Sequence, residues 1–248
     1  MSETEVQERQ PGHSGNSGMI RGIPGKHIEA VGMLDLRGVS AEDLAQVESI
    51  QSVGAVLIDP ALRSAMAHIS MDSVGAILDA PADARVLIEP WLEFSKAGLE
   101  AMPQGQNLLL IGIAFFKPDV PPALVTEKFE ALQVVGVVLA TAGVQGALIG
   151  KMQITGMGVT LPEEDLPLVK NIGQNTLSPG YLSHLADGNL YVNVGQTTLA
   201  PEVPEDLLAK KIKTYINVGQ TAGPAPLLDL LKARCPVNLG EFSEPEES

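Results

Sequence analysis

Cysteine, aromatic side chains and clustered positive charge are all scarce in this sequence. Cys235 is the only cysteine, so no disulfide can form within the chain, unlike the disulfide frameworks of many secreted proteins. Aromatic residues make up 4% of the chain and hydrophobic residues 45%. The core must therefore be built from aliphatic side chains.

Basic residues are outnumbered, with 16 Lys and Arg against 30 Asp and Glu, for a net charge of −14. Without a basic cluster, the sequence argues against binding to nucleic acid or to anionic membrane surfaces. The longest apolar run, Leu108 to Phe116, is far shorter than the roughly 20 residues of a membrane helix. The first residues are polar and acidic, unlike a secretory signal. We expect a cytoplasmic protein with no membrane contact.

Motifs for catalysis or metal binding are also missing. The four histidines share no spacing with one another or with Cys235, and no known nucleophile, zinc or phosphate-binding pattern occurs. Asp59 and Asp79 could form a carboxylate pair on neighbouring repeats, but an aspartate before a helix is more often a cap. We therefore predict no catalytic, cofactor-binding or metal-binding residue.

A four-residue pattern, asparagine–apolar–glycine–glutamine, recurs near the C-terminus. It begins at Asn171, Asn193 and Asn217, and a weaker copy begins at Asn238. The glycines follow one another at steps of 22, 24 and 21 residues. A fixed period of this length is typical of a solenoid, in which each repeat stacks on the one before it.

A second marker follows the glycine in most repeats. Glycine preceded by an apolar residue recurs from Val31-Gly32 onward, and proline often lies six residues later. The prolines in this phase are Pro60, Pro81, Pro118, Pro162, Pro179 and Pro201. Proline ends a strand because it lacks an N–H, and its fixed φ suits the first turn of a helix. Each repeat therefore predicts a strand, a proline turn and a short helix.

We call one such repeat of strand, proline turn and short helix a coil, and particular segments illustrate it. The β-branched runs Val53 to Ile58 and Val134 to Leu139 predict strands. The segments Ala61 to Ile69, Pro122 to Phe129 and Glu205 to Ile212 predict the short helices. Successive strands should pair in parallel.

This architecture resembles bacterial leucine-rich-repeat-like solenoid proteins with a repeat near 22 residues. The resemblance implies an α/β solenoid over 27–240, and a parallel β-helix is the alternative. We expect a disordered tail over 1–26 and an acidic tail over 241–248. A longer step between two glycines predicts an insertion near 82–106 that carries the only tryptophan, Trp91.

The repeated asparagines predict a structural ladder of stacked amides, because equivalent side chains on paired strands lie next to each other. The members are Asn171, Asn193, Asn217 and Asn238. The alternative is an exposed recognition stripe that also uses Gln174, Gln196 and Gln220.

The middle strands are apolar on both faces, which predicts an interface. Side chains alternate across a strand, so Val135 and Val137 should face inward and Val134 and Val138 outward. Glycine between them, at Gly136, would let a partner approach. The candidate interface residues are Leu110, Ala114, Val134, Gly136, Val138 and Trp91. The alternative is that another segment of the chain covers this face.

Three functional hypotheses follow. The first is a non-enzymatic scaffold that forms a homo-oligomer through its sheet face or its coil ends. The second is a module that recognises a protein or peptide on the polar sheet of the C-terminal coils. The third is a solenoid enzyme that acts on a polysaccharide.

Overall fold

The computed structural model describes residues 18–244, which form parallel strands in five sheets joined by short helices. The chain divides into two compact units between Arg85 and Val86. The five sheets belong to three segments of the chain, which we call the N-terminal stack (19–79), the middle stack (85–161) and the C-terminal stack (168–243). The fold class is therefore α/β with parallel strands.

The N-terminal stack forms two narrow sheets from very short strands. One sheet holds β1, β3, β5 and β7 in that order, and the other holds β2, β4 and β6. The strands are β1 (Met19–Arg21), β2 (His27–Glu29), β3 (Met33–Asp35), β4 (Ser49–Gln51), β5 (Ala55–Ile58), β6 (Ser70–Asp72) and β7 (Ala76–Asp79). The connections include helix α1 (Ala41–Leu44) and a 3₁₀ helix (Pro60–Met66).

The predicted proline turn is present in this unit. Asp59 accepts a hydrogen bond from the backbone of Ala61 at 2.9 Å, and Pro60 begins the 3₁₀ helix. The helix directs its apolar side toward a core of aliphatic side chains that includes the fully buried Leu34 and Val56. Sequence reasoning therefore placed the strand end and the helix start correctly here.

A buried ion pair connects β3 of the first unit to the segment that follows β7. Arg37 Nη2 lies 2.8 Å from Asp35 Oδ2, and both side chains are almost fully buried. The same guanidinium donates to the carbonyls of Pro81 and Ala84 at 3.2 and 2.6 Å. Burial alone would raise the pKa of Asp35, but the hydrogen bonds and charge of Arg37 outweigh it and lower that pKa.

The middle stack is one sheet of long strands in the order β11, β10, β9, β8. Its strands are β8 (Arg85–Phe94), β9 (Gln106–Phe116), β10 (Phe129–Thr141) and β11 (Met152–Leu161). Helices α2 (Lys96–Ala101), α3 (Pro122–Lys128) and α4 (Ala142–Ala147) connect them. Strand and helix thus alternate as the sequence predicts.

The glycines of the middle stack lie in one row and need to be glycine. Gly112, Gly136 and Gly156 pair with one another, each with φ between +137° and +139°. A Cβ on Gly136 would lie 2.0 Å from the carbonyl oxygen of Gly112, which is closer than any real contact. This backbone conformation is almost exclusive to glycine, so the strands bend here without ending.

The expected insertion near 82–106 is instead a regular coil. It contains β8, which pairs with β9 in the same sheet, and then α2. The step between glycines is long because Glu89 and Pro90 stand where the other coils have glycine, and the Glu89 carbonyl lies beneath Gly112. A glycine marker could not reveal a coil that lacks it.

The C-terminal stack has two parallel sheets, ordered β12-β14-β16-β18 and β13-β15-β17-β19. The strands are β12 (Leu168–Asn171), β13 (Gln174–Leu177), β14 (Asn189–Asn193), β15 (Gln196–Leu199), β16 (Ile212–Asn217), β17 (Gln220–Ala222), β18 (Val237–Asn238) and β19 (Glu241–Ser243). The helices are α5 (Pro179–His184), α6 (Glu205–Lys211) and α7 (Ala225–Ala233). Here the glycine lies between two strands of a coil.

Two boundaries predicted from the sequence are wrong. Strand β1 begins at Met19, inside the expected N-terminal tail, and β19 occupies 241–243 of the expected C-terminal tail. Residues 1–17 and 245–248 of those tails lie outside the described residues. Within 18–244 the ladder also breaks, since β11 pairs only with β10 and β12 only with β14. The unbroken ladder expected over 27–240 is therefore not observed.

In the second unit, a basic side chain of the next coil contacts the carbonyls at the ends of α2, α3, α5 and α6. Lys128 donates to Glu100 O at 3.4 Å, and Lys151 to the carbonyls of Thr126 and Phe129 at 2.9 Å each. Two further contacts follow the same rule: Lys211 to Leu185 O at 2.7 Å, and Arg234 to the carbonyls of Ala209 and Ile212. We call Lys128, Lys151, Lys211 and Arg234 the inter-coil cations. A cation is stabilising at a helix C-terminus, where carbonyls lack partners.

Candidate functional site

The predicted interface residues of the middle strands are core residues. Leu110, Ala114, Val134 and Val138 are completely buried and pack in one cluster with the helices that connect the strands. Gly136 lies between them in the glycine row. The predicted orientation is therefore wrong, because these four side chains lie in the core of the middle stack.

The opposite face of the same strands is also covered. Ile113, Phe115 and Leu139 belong to a second buried cluster, which Leu190 and Val192 of the C-terminal stack complete. Val137, predicted to face inward, packs against this second cluster. The apolar character of both faces thus arises because helices cover one face and a second sheet covers the other, as is usual for buried parallel strands.

Trp91 belongs to this covered region too. Its ring stacks on Phe115 with centroids 5.1 Å apart, and Lys170 Nζ lies 5.3 Å from its centroid. Its indole Nε1 is buried without an acceptor among residues 18–244. Trp91 therefore joins the two stacks of the second unit, and its contacts do not form an exposed surface.

The four repeated asparagines lie side by side in one row. Asn171 Nδ2 donates to Asn193 Oδ1 at 3.1 Å, Asn193 Nδ2 to Asn217 Oδ1 at 2.9 Å, and Asn217 Nδ2 to Asn238 Oδ1 at 2.8 Å. Asn193 also donates to the backbone carbonyl of Gln220 at 2.8 Å. Asn193 and Asn217 are fully buried, so these amides are not an exposed recognition stripe.

A second polar row lies beside the asparagines inside the C-terminal stack. The hydroxyls of Tyr191 and Tyr215 lie 3.4 and 2.7 Å from Thr197 Oγ1 and Thr221 Oγ1. The two tyrosine rings stack with centroids 5.4 Å apart. Burial raises the pKa of both phenols, and the hydrogen bonds only partly offset it.

The repeated glutamines face solvent. Gln174, Gln196 and Gln220 pair at one position of the sheet formed by β13, β15 and β17, and all three are exposed. Their register aligns the amides on one surface next to Thr176 and Thr198, which are also exposed. This row is the polar surface of the C-terminal coils.

The last strand of the middle stack, β11, is a free sheet edge. Among residues 18–244 it pairs on one side only, with β10. From Gln153 to Gly158 every residue except Ile154 is exposed, and Met157 retains 41% of its surface. A strand edge of this kind presents unpaired backbone N–H and C=O groups to any approaching strand.

An apolar recess of about 440 Å³ opens beside this edge. Ile149, next to the end of α4, is 83% exposed and forms one wall. The rest of the lining comes from Val138, Ala142, Gln145, Gly146, Met152, Ile154 and Gly158. The core of the middle stack is therefore accessible at this end, where a terminal coil would ordinarily present a polar cap.

The end of the middle stack is also nearly uncharged, a signal that sequence reasoning missed. From Ala131 to Pro162 the only charged residue is Lys151, although charged residues make up 19% of the chain. Lys151 is held by the carbonyls at the end of α3. Natural edge strands usually carry lysine, proline or inward-pointing charge, and β11 carries none. A charge profile along the sequence would have located this edge.

The residues considered for chemistry have structural roles. Asp59 caps the 3₁₀ helix, and Asp79 pairs with Arg63 at 2.6 Å. His27 contacts Ser49 Oγ at 2.9 Å. Burial raises the pKa of the Cys235 thiol. Within 18–244, His, Cys, Asp and Glu nowhere gather in a group of three that could hold a metal ion.

None of the helices between residues 18 and 244 combines the length and the apolar character needed to cross a membrane. Comparison of the chain with protein-family models, with curated proteins and with solved structures finds no match. The functional argument therefore depends on the molecule's own geometry.

Proposed function

We propose that this protein is a non-enzymatic repeat scaffold that self-associates through the end of its middle stack. In this proposal its coils are leucine-rich-repeat-like solenoid coils of strand, turn and short helix. The parallel ladders support it, as do glycines that pair with glycines from coil to coil. A repeat of this kind grows along one axis and leaves its ends as the natural sites of association.

The observation that carries the proposal is the free edge of β11. This edge has ten residues, no charge and an apolar recess beside it. Every other free edge in residues 18–244 is either charged or at most four residues long. Leaving such an edge in water exposes unpaired backbone and costs about 1.5–3 kcal/mol per large aliphatic side chain that a partner could bury.

We expect the chain to self-associate through the coil end and not through the sheet face. Both faces of the middle sheet are occupied inside the second unit, by the connecting helices and by the C-terminal stack. Among residues 18–244, the two edge strands β8 and β11 of this sheet remain unpaired on one side, and β11 is the uncharged one. The partner that we propose is a second copy of the chain. Each copy is acidic, and an uncharged strip lets two acidic copies approach without bringing like charges together.

The test is the solution mass of the full chain across a dilution series, by light scattering or sedimentation. The unmodified protein should have the mass of more than one copy. The variant with Ile149→Lys and Met157→Lys should have the mass of one copy, because both exposed side chains would bring charge to the edge.

The matched control changes exposed apolar residues elsewhere. Ile172 and Leu239 are 39% and 37% exposed on the C-terminal stack. Ile172→Lys with Leu239→Lys should leave the mass unchanged. If the edge variant keeps the mass of the unmodified protein while circular dichroism shows it folded, association does not use β11.

A second candidate function is recognition of a protein or peptide on the polar sheet of the C-terminal coils. The aligned, exposed amides of Gln174, Gln196 and Gln220 support it. Replacing all three with alanine would abolish binding of such a partner and leave the solution mass unchanged.

An enzyme that acts on a polysaccharide is the third candidate. The two carboxylates considered for its chemistry, Asp59 and Asp79, are engaged in other contacts. A cytoplasmic location with a single free thiol fits the scaffold.

A further inference from the structure

We propose that two copies pair edge to edge through β11, antiparallel, about a two-fold axis at Gly156, and that this pair is closed. The inference rests on the proposed self-association and specifies its partner and geometry. It concerns a second copy of this same chain, with β11 of one molecule extending the middle sheet into β11 of the other.

The choice of β11 against β11 follows from the other free edges. A head-to-tail contact would need a second edge able to accept β11. At the far side of the middle sheet, β8 carries Arg85, Glu89 and Glu93 and has Pro90 at its centre, where the backbone N–H is missing. The uncharged β13 has four residues, and β18 has two. Among residues 18–244, β11 therefore best fits another β11.

Two identical edges that contact each other through the same residues are related by a two-fold axis. Such an axis perpendicular to the sheet makes the two strands antiparallel, and antiparallel pairing needs no connection between the chains. The strand is uncharged along its whole length, so no like charges meet when it faces itself. Each molecule carries a net charge of −14, and this neutral strip is where two copies approach with least repulsion.

The position of the axis follows from side-chain size along the strand. With Gly156 opposite itself, Ile154 faces Gly158 of the second copy, and Thr155 faces Met157 of the second copy. Ile154 and Gly158 both line the apolar recess of about 440 Å³. In this register a large side chain of each copy lies over the small residue of the other and fills part of its recess.

The geometry also closes the assembly. Once β11 of each copy is paired, neither molecule has another long, uncharged edge among its described strands. A third copy would have to pair with a charged edge or with one of only a few residues. The association should therefore stop at two copies and not continue into a filament.

The first measurement is mass against concentration for the full chain. We expect twice the mass of one copy, constant over at least a tenfold range above the dissociation constant. Species that keep growing with concentration would overturn the closed pair but leave self-association intact. A single-copy mass at every concentration would overturn both the proposed function and this inference.

The second measurement locates the axis by disulfide cross-linking. Thr155→Cys and Met157→Cys are prepared as separate full-length variants, and both positions are exposed. Directly opposed residues are close enough for a disulfide, whereas diagonal neighbours at about 7–8 Å are too far apart. Mild oxidation of an equal mixture should therefore yield a covalent dimer, and oxidation of either variant alone should not.

The unmodified chain under the same oxidation controls for Cys235, which stays in place in all samples. A covalent dimer from either variant alone would move the axis away from Gly156 and overturn the register. An equal mixture that remains monomeric on a denaturing gel, while its mass before oxidation is that of two copies, would overturn the β11 pairing itself.

Discussion

The middle and C-terminal stacks share one backbone constraint but differ in the side chains around it. In both, a glycine lies against a carbonyl of the coil before it: a Cβ would lie 2.0 Å from this oxygen at Gly136 and 1.9 Å at Gly219. In the middle stack the glycine has positive φ and the strand continues through it. In the C-terminal stack the strand stops, and a second strand begins after the glycine.

The difference explains where the asparagines occur. When a strand stops, backbone groups near the break lose their ladder partners, and a buried polar group without a partner is costly. Asn193 donates to the carbonyl of Gln220 at such a break. The middle strands keep their ladder through the glycine, so apolar residues such as Val134 and Val138 can flank it. Within the second unit, the polar row thus occurs where the glycine ends a strand.

The largest expected effect is a loss of stability from two substitutions in the core of the middle stack. Val134→Asp with Val138→Asp places two carboxylates in a core where both positions are completely buried. We expect the free energy of unfolding to fall by more than about 4 kcal/mol, because each charge is buried without a partner. Chemical denaturation with tryptophan fluorescence measures it, since Trp91 lies in this region.

The control for this pair is Ala123→Asp, at an exposed position in the first turn of α3 and away from β11. It should change the free energy of unfolding by less than about 0.5 kcal/mol. A double variant that folds with unchanged stability would mean that these valines face outward, as the alternation of side chains first suggested.

The next effect breaks the C-terminal stack. Asn193→Ala removes the donor to Asn217, Gln220 and Thr221 within a fully buried site. We expect a loss of about 1–3 kcal/mol in the free energy of unfolding. Asn238→Ala, at the exposed end of the same row, should cost clearly less. Equal losses in the free energy of unfolding for the two variants would show that burial along the row does not determine how much each asparagine contributes to stability.

A pH experiment sharpens the comparison, because only the C-terminal stack buries tyrosines. Burial raises the pKa of Tyr191 and Tyr215 above the ordinary 10.0. An unfolded tyrosine ionises near that value while a buried one keeps its proton, so this stabilisation is complete below pH 10.0 and is lost as pH rises above it.

We therefore expect the midpoint of chemical denaturation to decrease when the pH is raised from about 9 to about 11. The decrease should be smaller in the variant with both tyrosines changed to phenylalanine. The variant also loses the hydroxyl contacts, so its free energy of unfolding at the lower pH should already be reduced by about 1 kcal/mol per hydrogen bond. Equal pH slopes for the two proteins would contradict the raised pKa values.

The smallest effect concerns the exposed glutamine row. Gln196→Ala should change the free energy of unfolding by less than about 0.5 kcal/mol, because its side chain faces solvent. Thermal unfolding measures it beside Asn193→Ala, only three residues away. A loss as large as that of Asn193→Ala would give the glutamines a structural role.

Sequence reasoning predicted the coil well where its markers were complete. Asp59, Pro60 and the start of the following helix were placed correctly, although that helix ends at Met66 and not at Ile69. Helices α3 and α6 were predicted within one residue of their ends. The equivalent asparagines were also predicted to be neighbours, since a constant period places them at one strand position. These features are local or periodic, so a single sequence contains them.

Other features depended on packing between distant segments. The orientation of Val134 was wrong because residues on both faces are apolar, so alternation alone could not tell the helix-covered face from the sheet-covered one. The coil around Pro90 was hidden because it lacks the glycine. The break between β11 and β12 is marked in the sequence only by the near absence of charge before Pro162, which the glycine and proline markers do not register.

The inter-coil cations make the ends of helices in the second unit depend on residues that come later in the chain. The carbonyls at the end of α3 receive Lys151, and those at the end of α6 receive Arg234, so each helix is completed by residues that emerge later from the ribosome. A chain cut between coils would lose the missing coil and would also leave the helix before it frayed. During synthesis, we therefore expect a helix such as α3 to become stable only after the coil that carries its inter-coil cation has emerged.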